Sequence, residues 1–355
     1  MADSIAFGGR FYKRRKGYAY DHSLKVALTP ILLSVNYDQG DTKGGGESIV
    51  LTGLILTNAV SVSFGSTAAT ITGNTSTTVT CTLPAKSAGS TSVTVSTLSG
   101  GTSNGLPFEY WDPGELSATT GFWEDYEGTS WTARGGSVAG TMTAPGTAPD
   151  VGTGAGGFTS ADTPGGNSGK YLRSSGTGCF IEDYVTIATQ SPGPGTTAWV
   201  LFKPRTAGAD GGTSMPYINR GLLSTNAGGY FIVSHTVNGF VCGYYDGAYD
   251  AVTAPCSLGT GISGLNAWHV GVFVYNGTTM QASVDGSALA SASSAHGLPD
   301  DTGNDTYRLQ VCIDYSATNG FDGEILAFGT TKDVSTDAEV TKLRKWAQQR
   351  FGITA

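Results

Sequence analysis

The sequence predicts an all-β protein with an N-terminal arm, a small β-sandwich, a larger sandwich and one C-terminal helix. Three observations carry this expectation. Glycine supplies 53 of 355 residues and only 14% are charged, too few charges for a helix-rich or a disordered chain. Short β-branched runs bounded by Gly, Asn or Pro recur along most of the chain. Helix start and stop signals coincide convincingly in one place, near the C-terminus. The length allows two or three hydrophobic cores. No apolar run reaches the roughly 18 residues that a membrane-spanning helix needs.

Residues 1–28 form a basic arm. Arg10, Lys13, Arg14, Arg15, Lys16 and Lys25 stand against Asp3 and Asp21, so residues 1–25 carry +4 and the remainder carries −12 of the total −8. Phe11, Tyr12, Tyr18 and Tyr20 lie among these charges. A basic, aromatic-dotted arm ahead of an acidic body is expected to dock on an acidic surface, with Arg10, Phe11, Tyr12, Lys13, Arg14, Arg15 and Lys16 as its anchor. The bland alternative is a solvated tail. The arm makes a poor signal peptide, because "KRRK" is followed by polar "GYAYDHS" and "VALTPILLSV" is broken by Thr29 and Pro30. Five cysteines without a close CxxC spacing point to free thiols made in a reducing compartment: Cys81, Cys179, Cys242, Cys256 and Cys312.

Residues 29–111 read as one small sandwich. "SIVLTGLIL", "AVSVSFG", "AATITGN", "TTVTCTLP" and "STSVTVSTLSG" are successive strand-like runs. With Pro30, "GGGESIVLTG" at 44–53, "VSVSFGSTAATIT" at 60–72, "TLPA" at 82–85 and "LPFEYW" at 106–111, this stretch resembles the IPT/TIG immunoglobulin-like family. The resemblance implies an Ig-like fold used as a spacer or interaction module, and no particular chemistry. Residues 112–169 are rich in Gly, Pro, Thr and Ala and read as a linker, with "FWEDYEGTSW" at 122–131 as a candidate entry strand of the larger sandwich.

Strand runs return in residues 170–355: "CFIEDYVTI", "TAWVLFKP", "INRGLLST", "GYFIVSH", "GFVCGYY", "YRLQVCIDY" and "GEILAFGT". Between them, "WHVGVFVYNGTTMQASVDGS" at 268–287 alternates Trp268, Val270, Val272 and Val274 against His269, Gly271, Phe273 and Tyr275. A predicted Asn276-Gly277 corner then leads into a second alternating run. At the end, Thr336 and Glu339 form a capping box, Val340, Leu343, Ala347 and Phe351 share a face, and Gly352 is the stop. "TAWVLFKP", the 267–287 hairpin, "GFDGEILAFG" at 320–329 and the terminal "AEVTKLRKWAQQRFGI" resemble the concanavalin A-like (laminin G-like) jelly-roll superfamily. The resemblance implies that the hairpin is scaffold, with Trp268 facing the core.

Enzyme motifs are poorly supported. "GTSNG" at 101–105 spells a nucleophile elbow but is followed by Leu106-Pro107 and a strand, so a plain turn is expected. "GTGAGG" at 152–157 has neither the preceding strand nor the following helix of a dinucleotide loop. In "WEDYEG" at 123–128, Glu124 and Asp125 are adjacent and face opposite sides of a strand, unlike the paired carboxylates of sugar-cleaving jelly rolls. An exposed acidic strand is the expectation there. The four histidines are scattered without zinc spacing. Asp300, Asp301, Asn304 and Asp305 form a weak calcium candidate, with a solvated turn preferred. No cofactor is expected. Carbohydrate binding is the remaining site hypothesis, and "GYYDGAYDAV" supplies Tyr244, Tyr245, Asp246, Tyr249 and Asp250 for stacking on sugar rings and bonding hydroxyls.

Both modules resemble those of tailed-bacteriophage virion proteins such as capsid decorations, head fibres and tail adhesins. The expectation is therefore a non-enzymatic structural or adhesive virion protein, assembled in the host cytoplasm. Its expected partners are a major capsid or tail protein, reached through the arm, and host-surface glycans. It is expected to be oligomeric in the assembly, with no specific nucleic acid and no membrane span. The alternatives are a secreted bacterial carbohydrate-binding protein and a glycoside hydrolase.

Overall fold

The computed structural model describes residues 4–7, 10–13, 28–44, 47–117, 119–127, 130–135, 141–143, 172–175, 181–182, 195–204, 221–225, 231–236, 239–245, 249–254, 266–276, 278–287, 290–293, 309–311, 322–331 and 333–353. In the arm, β1 (Ser4–Phe7) and β2 (Arg10–Lys13) pair antiparallel, with Phe7 opposite Arg10. Sequence reading assigns no element there. The available signal is the Gly8-Gly9 pair between two four-residue runs.

The first sandwich contains β3 (Ile31–Val35), β4 (Gln39–Gly40), β5 (Ser48–Leu54), β6 (Ala59–Phe64), β7 (Thr67–Asn74), β8 (Thr78–Thr82), β9 (Gly89–Thr97), β10 (Gly101–Thr102) and β11 (Leu106–Tyr110). They run in the order β3-β5-β8-β7-β6-β9-β11-β4, with β10 on β9. β7 pairs with β6 through residues 67–69 and with β8 through residues 70–74, carrying the ladder from one layer to the other. Alternation sets the layers. Ile49, Leu51, Val62, Phe64, Val79, Cys81, Val93 and Val95 point into one core, while the intervening Ser and Thr residues are partly or fully exposed. Phe64, Phe108 and Tyr110 meet edge to face at 4.9–6.0 Å between ring centroids. Of the 101–105 segment, Gly101–Thr102 form β10 on β9 and residues 103–105 lead without a helix into β11, so the nucleophile-elbow arrangement is absent there. Asn104 pins β3 by accepting from Leu32 N–H at 2.8 Å and donating to its carbonyl at 3.0 Å.

The second sandwich follows a 3-10 turn at Pro113–Glu115. Its strands are β12 (Thr119–Glu127), β13 (Ser130–Gly135), β14 (Thr141–Thr143), β15 (Leu172–Ser175), β16 (Ile181–Glu182), β17 (Thr196–Pro204), β18 (Gly221–Thr225), β19 (Phe231–Thr236), β20 (Gly239–Tyr245), β21 (Tyr249–Ala254), β22 (His269–Tyr275), β23 (Thr279–Val284), β24 (Ala290–Ser293), β25 (Leu309–Val311) and β26 (Asp322–Thr331), and α1 (Asp337–Phe351) closes it. The larger sheet runs β14-β13-β12-β26-β17-β22-β23-β24, with β15 also on β26. The smaller runs β16-β25-β18-β19-β20-β21. β20 and β21 lie against β23, and β21 also against β24. The other face of the larger sheet is covered by α1, whose Val340, Leu343, Trp346, Ala347 and Phe351 pack on Phe122, Trp199, Leu201, Val270, Val272 and Val274.

The larger sheet is thus a middle layer, which explains one departure from the sequence reading. β22 is buried at all seven positions rather than on alternate ones, because both faces are covered. Trp268 packs against the same core, as the resemblance implied. The hairpin corner lies one residue beyond the expected place. Tyr275 opposes Met280, and Asn276 Oδ1 accepts from Thr278 N–H at 3.0 Å and Thr279 N–H at 2.7 Å. The asparagine side chain therefore bridges the corner, an Asx arrangement, instead of sitting inside a two-residue loop. The left-handed pair is Asp285-Gly286 (φ 47° and 73°), closed by Ser287 N–H to Val284 O at 2.9 Å. The α1 capping box forms as expected, and Gly352 ends the helix at φ 70°. A Cβ on Gly329 would lie 2.7 Å from the Trp199 indole, so only glycine lets that ring lie on β26.

Candidate functional site

The densest polar assembly among the described residues is at the junction of the two sandwiches. Asp41, in the loop after β4, is fully buried. Its carboxylate accepts two bonds from Arg134 of β13, Nη2 to Oδ1 at 2.5 Å and Nη1 to Oδ2 at 2.8 Å. Trp346 Nε1 of α1 donates to Oδ2 at 2.5 Å, and Lys43 N–H donates to Oδ1 at 2.6 Å. Arg134 Nη1 also donates to Glu124 Oε1 at 2.8 Å, and Nη2 lies 3.4 Å from Asp112 Oδ2. Lys43 and Arg350 reach the same Glu124 oxygen at 3.5 Å and 3.7 Å. Thr42 Oγ1 donates to Asp112, which also caps the 3-10 turn.

This arrangement suits a planar guanidinium, which can serve several carboxylates at once. Burial would push the Asp41 carboxyl up, but the Arg134 bond and charge, with Trp346 and Arg350, hold it below its ordinary value. Burial works against the Arg134 charge too, and Asp41, Glu124 and Asp112 more than offset that. Glu47 is buried beside them and accepts from Asp41 N–H at 3.4 Å. Burial first, and the Asp41 charge second, push its carboxyl up to about 7. Rim pairs extend the junction: Lys342 to Glu109 at 2.6 Å, Lys345 to Asp38 at 2.9 Å, and Gln39 Nε2 to the Lys342 carbonyl at 3.1 Å.

Glu124 corrects the expectation of an exposed acidic strand. It is 3% exposed and committed to Arg134, because β12 lies inside the larger sheet between β13 and β26 and faces the junction. The side chains of Asp125 and Glu127 lie outside the description. In the 268–287 hairpin, His269 Nδ1 lies 2.5 Å from Asp285 Oδ2, and Asp285 Oδ1 accepts from Val270 N–H at 2.9 Å. His269 is 2% exposed, so this pair braces the start of β22.

The tyrosine cluster falls on a hairpin. Tyr244 and Tyr245 end β20, Tyr249 and Asp250 begin β21, Tyr245 is the direct cross-strand partner of Tyr249, and Tyr244 that of Asp250. Directly opposed positions share a sheet face. The register therefore separates the cluster into a Tyr245/Tyr249 pair on one face and a Tyr244/Asp250 pair on the other. Asp246 lies outside the described residues, as do Asp300, Asp301, Asn304 and Asp305 and the anchor residues Arg14, Arg15 and Lys16. Arg10, Phe11, Tyr12 and Lys13 form β2. Cys81 is a buried free thiol, pushed up to about 12 by burial. The side chains of Cys179, Cys242, Cys256 and Cys312 are outside the description. Among the described residues, no group of three or more His, Cys, Asp or Glu is placed to hold a metal ion, and no helix is long and apolar enough to cross a membrane.

Sequence reasoning missed Asp41, Arg134 and Trp346. Each is a lone residue in its own stretch, and only the fold brings them together from positions 41, 134 and 346.

Residues 30–110 match the IPT/TIG domain. A comparison with curated proteins finds no match. The similar solved structures include the CBM40 domain of the Ruminococcus gnavus IT-sialidase bound to α2,3-sialyllactose, at 11% identity and TM-score 0.39, covering 49% of this chain and 95% of that one. The binding domain of botulinum neurotoxin DC aligns at 8% identity and TM-score 0.40, and covers 64% of this chain and 51% of that one. The NanB sialidase of Streptococcus pneumoniae aligns at 19% identity and TM-score 0.36, over 48% of this chain and 27% of that one. The chain thus spans about half of the neurotoxin domain. Scores this low carry no inference about ligand or activity.

Proposed function

We propose that the protein is a non-enzymatic binding and display protein, in which an Ig-like domain and a jelly roll are held at a fixed angle. One observation carries this reading: Arg134 takes up Asp41, Asp112 and Glu124 at the domain junction. That cluster favours a rigid two-domain rod over a hinged pair. It also occupies Glu124, the buried carboxylate of the strand most like a glycosidase strand, so that a sugar could not use it without breaking the junction.

The finer reading is a tailed-bacteriophage virion protein: a capsid decoration, head fibre or tail component assembled in the host cytoplasm. Residues 1–28 are its anchor on a capsid or tail protein, and the displayed domains are residues 29–111 and the second sandwich, which begins at β12 inside the stretch read from the sequence as a linker. The 239–254 hairpin, with Tyr245 and Tyr249 paired, is the surface offered to host glycans. The basic, aromatic arm and the spacer character of an IPT/TIG module support this reading. Deleting residues 1–28 should leave a folded body that no longer joins the particle. Normal occupancy of the truncated protein in purified particles would refute the anchor.

A further inference from the structure

A cleft of about 420 Å³ lies between the first half of α1 and the end of β23, away from the junction and from the 239–254 hairpin. Arg344, Asp337 and Thr341 line it from the helix, and Gln281 and Ser287 line it from the strand side. Its volume falls within the range of ordinary small-ligand sites.

Arg344 is the unusual member. The described arginine side chains are Arg134, Arg344 and Arg350, and the first and last face Glu124 within ion-pair distance. Arg344 has no carboxylate at that distance among the described residues. Its Nη2 donates to the Ser283 hydroxyl and, at 3.3 Å, to the Ser287 carbonyl. Its Nε is buried without a partner, and Nη1 has none among the described residues. Burial works against its charge, and Asp285 and Asp337 only partly compensate. The guanidinium is therefore pinned by two neutral acceptors, with Nε enclosed, on a residue that lines the cleft wall.

The other lining groups narrow the ligand. A carboxylate is the natural partner of a fixed guanidinium fork. Asp285 and Asp337 both act on the Arg344 charge, so the ligand should carry no more than one negative group, seated on Arg344, with neutral hydrogen-bond donors towards Asp337. Gln281 and Thr341 can both donate and accept. No aromatic residue lines the cleft, so a ligand held by ring stacking is not served. We propose that this cleft binds a sugar acid, with its carboxylate on Arg344 and its hydroxyls on Asp337, Gln281 and Thr341. This site is separate from the tyrosine hairpin and does not depend on it.

The test is calorimetric titration of the full chain with D-glucuronate, D-glucose and acetate. Glucuronate should bind in the millimolar range or better, with glucose and acetate each weaker by about tenfold or more. Arg344→Gln should lose about tenfold or more in glucuronate affinity. Thr341→Phe fills the cleft from an exposed helix position and should do the same at unchanged melting temperature, which covers the case in which Arg344→Gln fails to fold. Equal binding of acetate would mean an anion site only, equal binding of glucose would remove the role of Arg344, and unchanged binding by Thr341→Phe would put the ligand elsewhere. Each of these outcomes, or no glucuronate binding at about 10 mM, overturns the proposal.

Discussion

The indole N–H of Trp346 donates to Asp41 at 2.5 Å, tying the last helix to a loop of the first sandwich 305 positions earlier in the chain. The same Asp41 carboxylate receives both Nη atoms of Arg134. Breaking one member of a buried charge pair leaves the other uncompensated, which typically costs about 3–5 kcal/mol. Asp41→Ala should therefore destabilise the protein by that order and loosen the angle between the domains. Denaturant melts give the first quantity, and small-angle scattering gives the second.

Glu47 should make stability fall as pH rises. Its folded carboxyl is pushed up to about 7, while the unfolded chain titrates near 4.5. Between those values the folded state holds a proton that the unfolded state has lost. The contribution is complete below pH 4.5 and is gone once pH has risen through about 7. Glu47→Gln, which cannot ionise, should be more stable than the unaltered protein at pH 8, by on the order of 3 kcal/mol. At pH 4.5 the two should nearly agree. Asp41 opposes this trend only in acid, since its depressed carboxyl adds stability above about 3.8 and loses it below. Melting curves across pH 4–9 test the sign.

Ile55 has a φ of 60°, a left-handed conformation that a β-branched residue adopts only under strain, and it is 38% exposed. Asparagine tolerates that conformation. Ile55→Asn should raise stability by about 1 kcal/mol, read from chemical denaturation. A loss of stability would mean that packing of the isoleucine side chain outweighs the backbone strain.

The cysteines offer a chemical check. Thiol titration of the denatured, unreduced protein should count all five as free, and Cys81 should react only on unfolding. A count of one or three would mean disulfides and would favour the secreted alternative.

The period-two runs made most of the fold legible. β5 to β9, β17, β22, β26 and α1 were all visible in the order of apolar and polar residues. The two-sided burial of β22 was not visible, because alternation reports one covered face and cannot reveal that α1 and a second sheet cover both. The junction was less legible still. A buried aspartate such as Asp41 looks like any loop aspartate until the fold supplies Arg134 and Trp346. The Glu124 strand was misread for the same reason, since its partner ten residues on lies across a hairpin whose register the sequence does not reveal. The tyrosine cluster was found as composition, and only the ladder shows that it divides between two faces.

Binding without cleavage is the central claim, and one experiment addresses it. The full chain is incubated on a printed array of bacterial surface glycans and read by bound fluorescence and by mass spectrometry of the printed glycans. The expected result is binding over glycans of unchanged mass, with binding of glycans that lack a sugar acid abolished by Tyr245→Ala with Tyr249→Ala, at a melting temperature within a few degrees of the unaltered protein. Core tyrosines would instead cost about 3–5 kcal/mol each on truncation. Shortened glycans, with the shortening lost in Glu127→Gln, would contradict the claim.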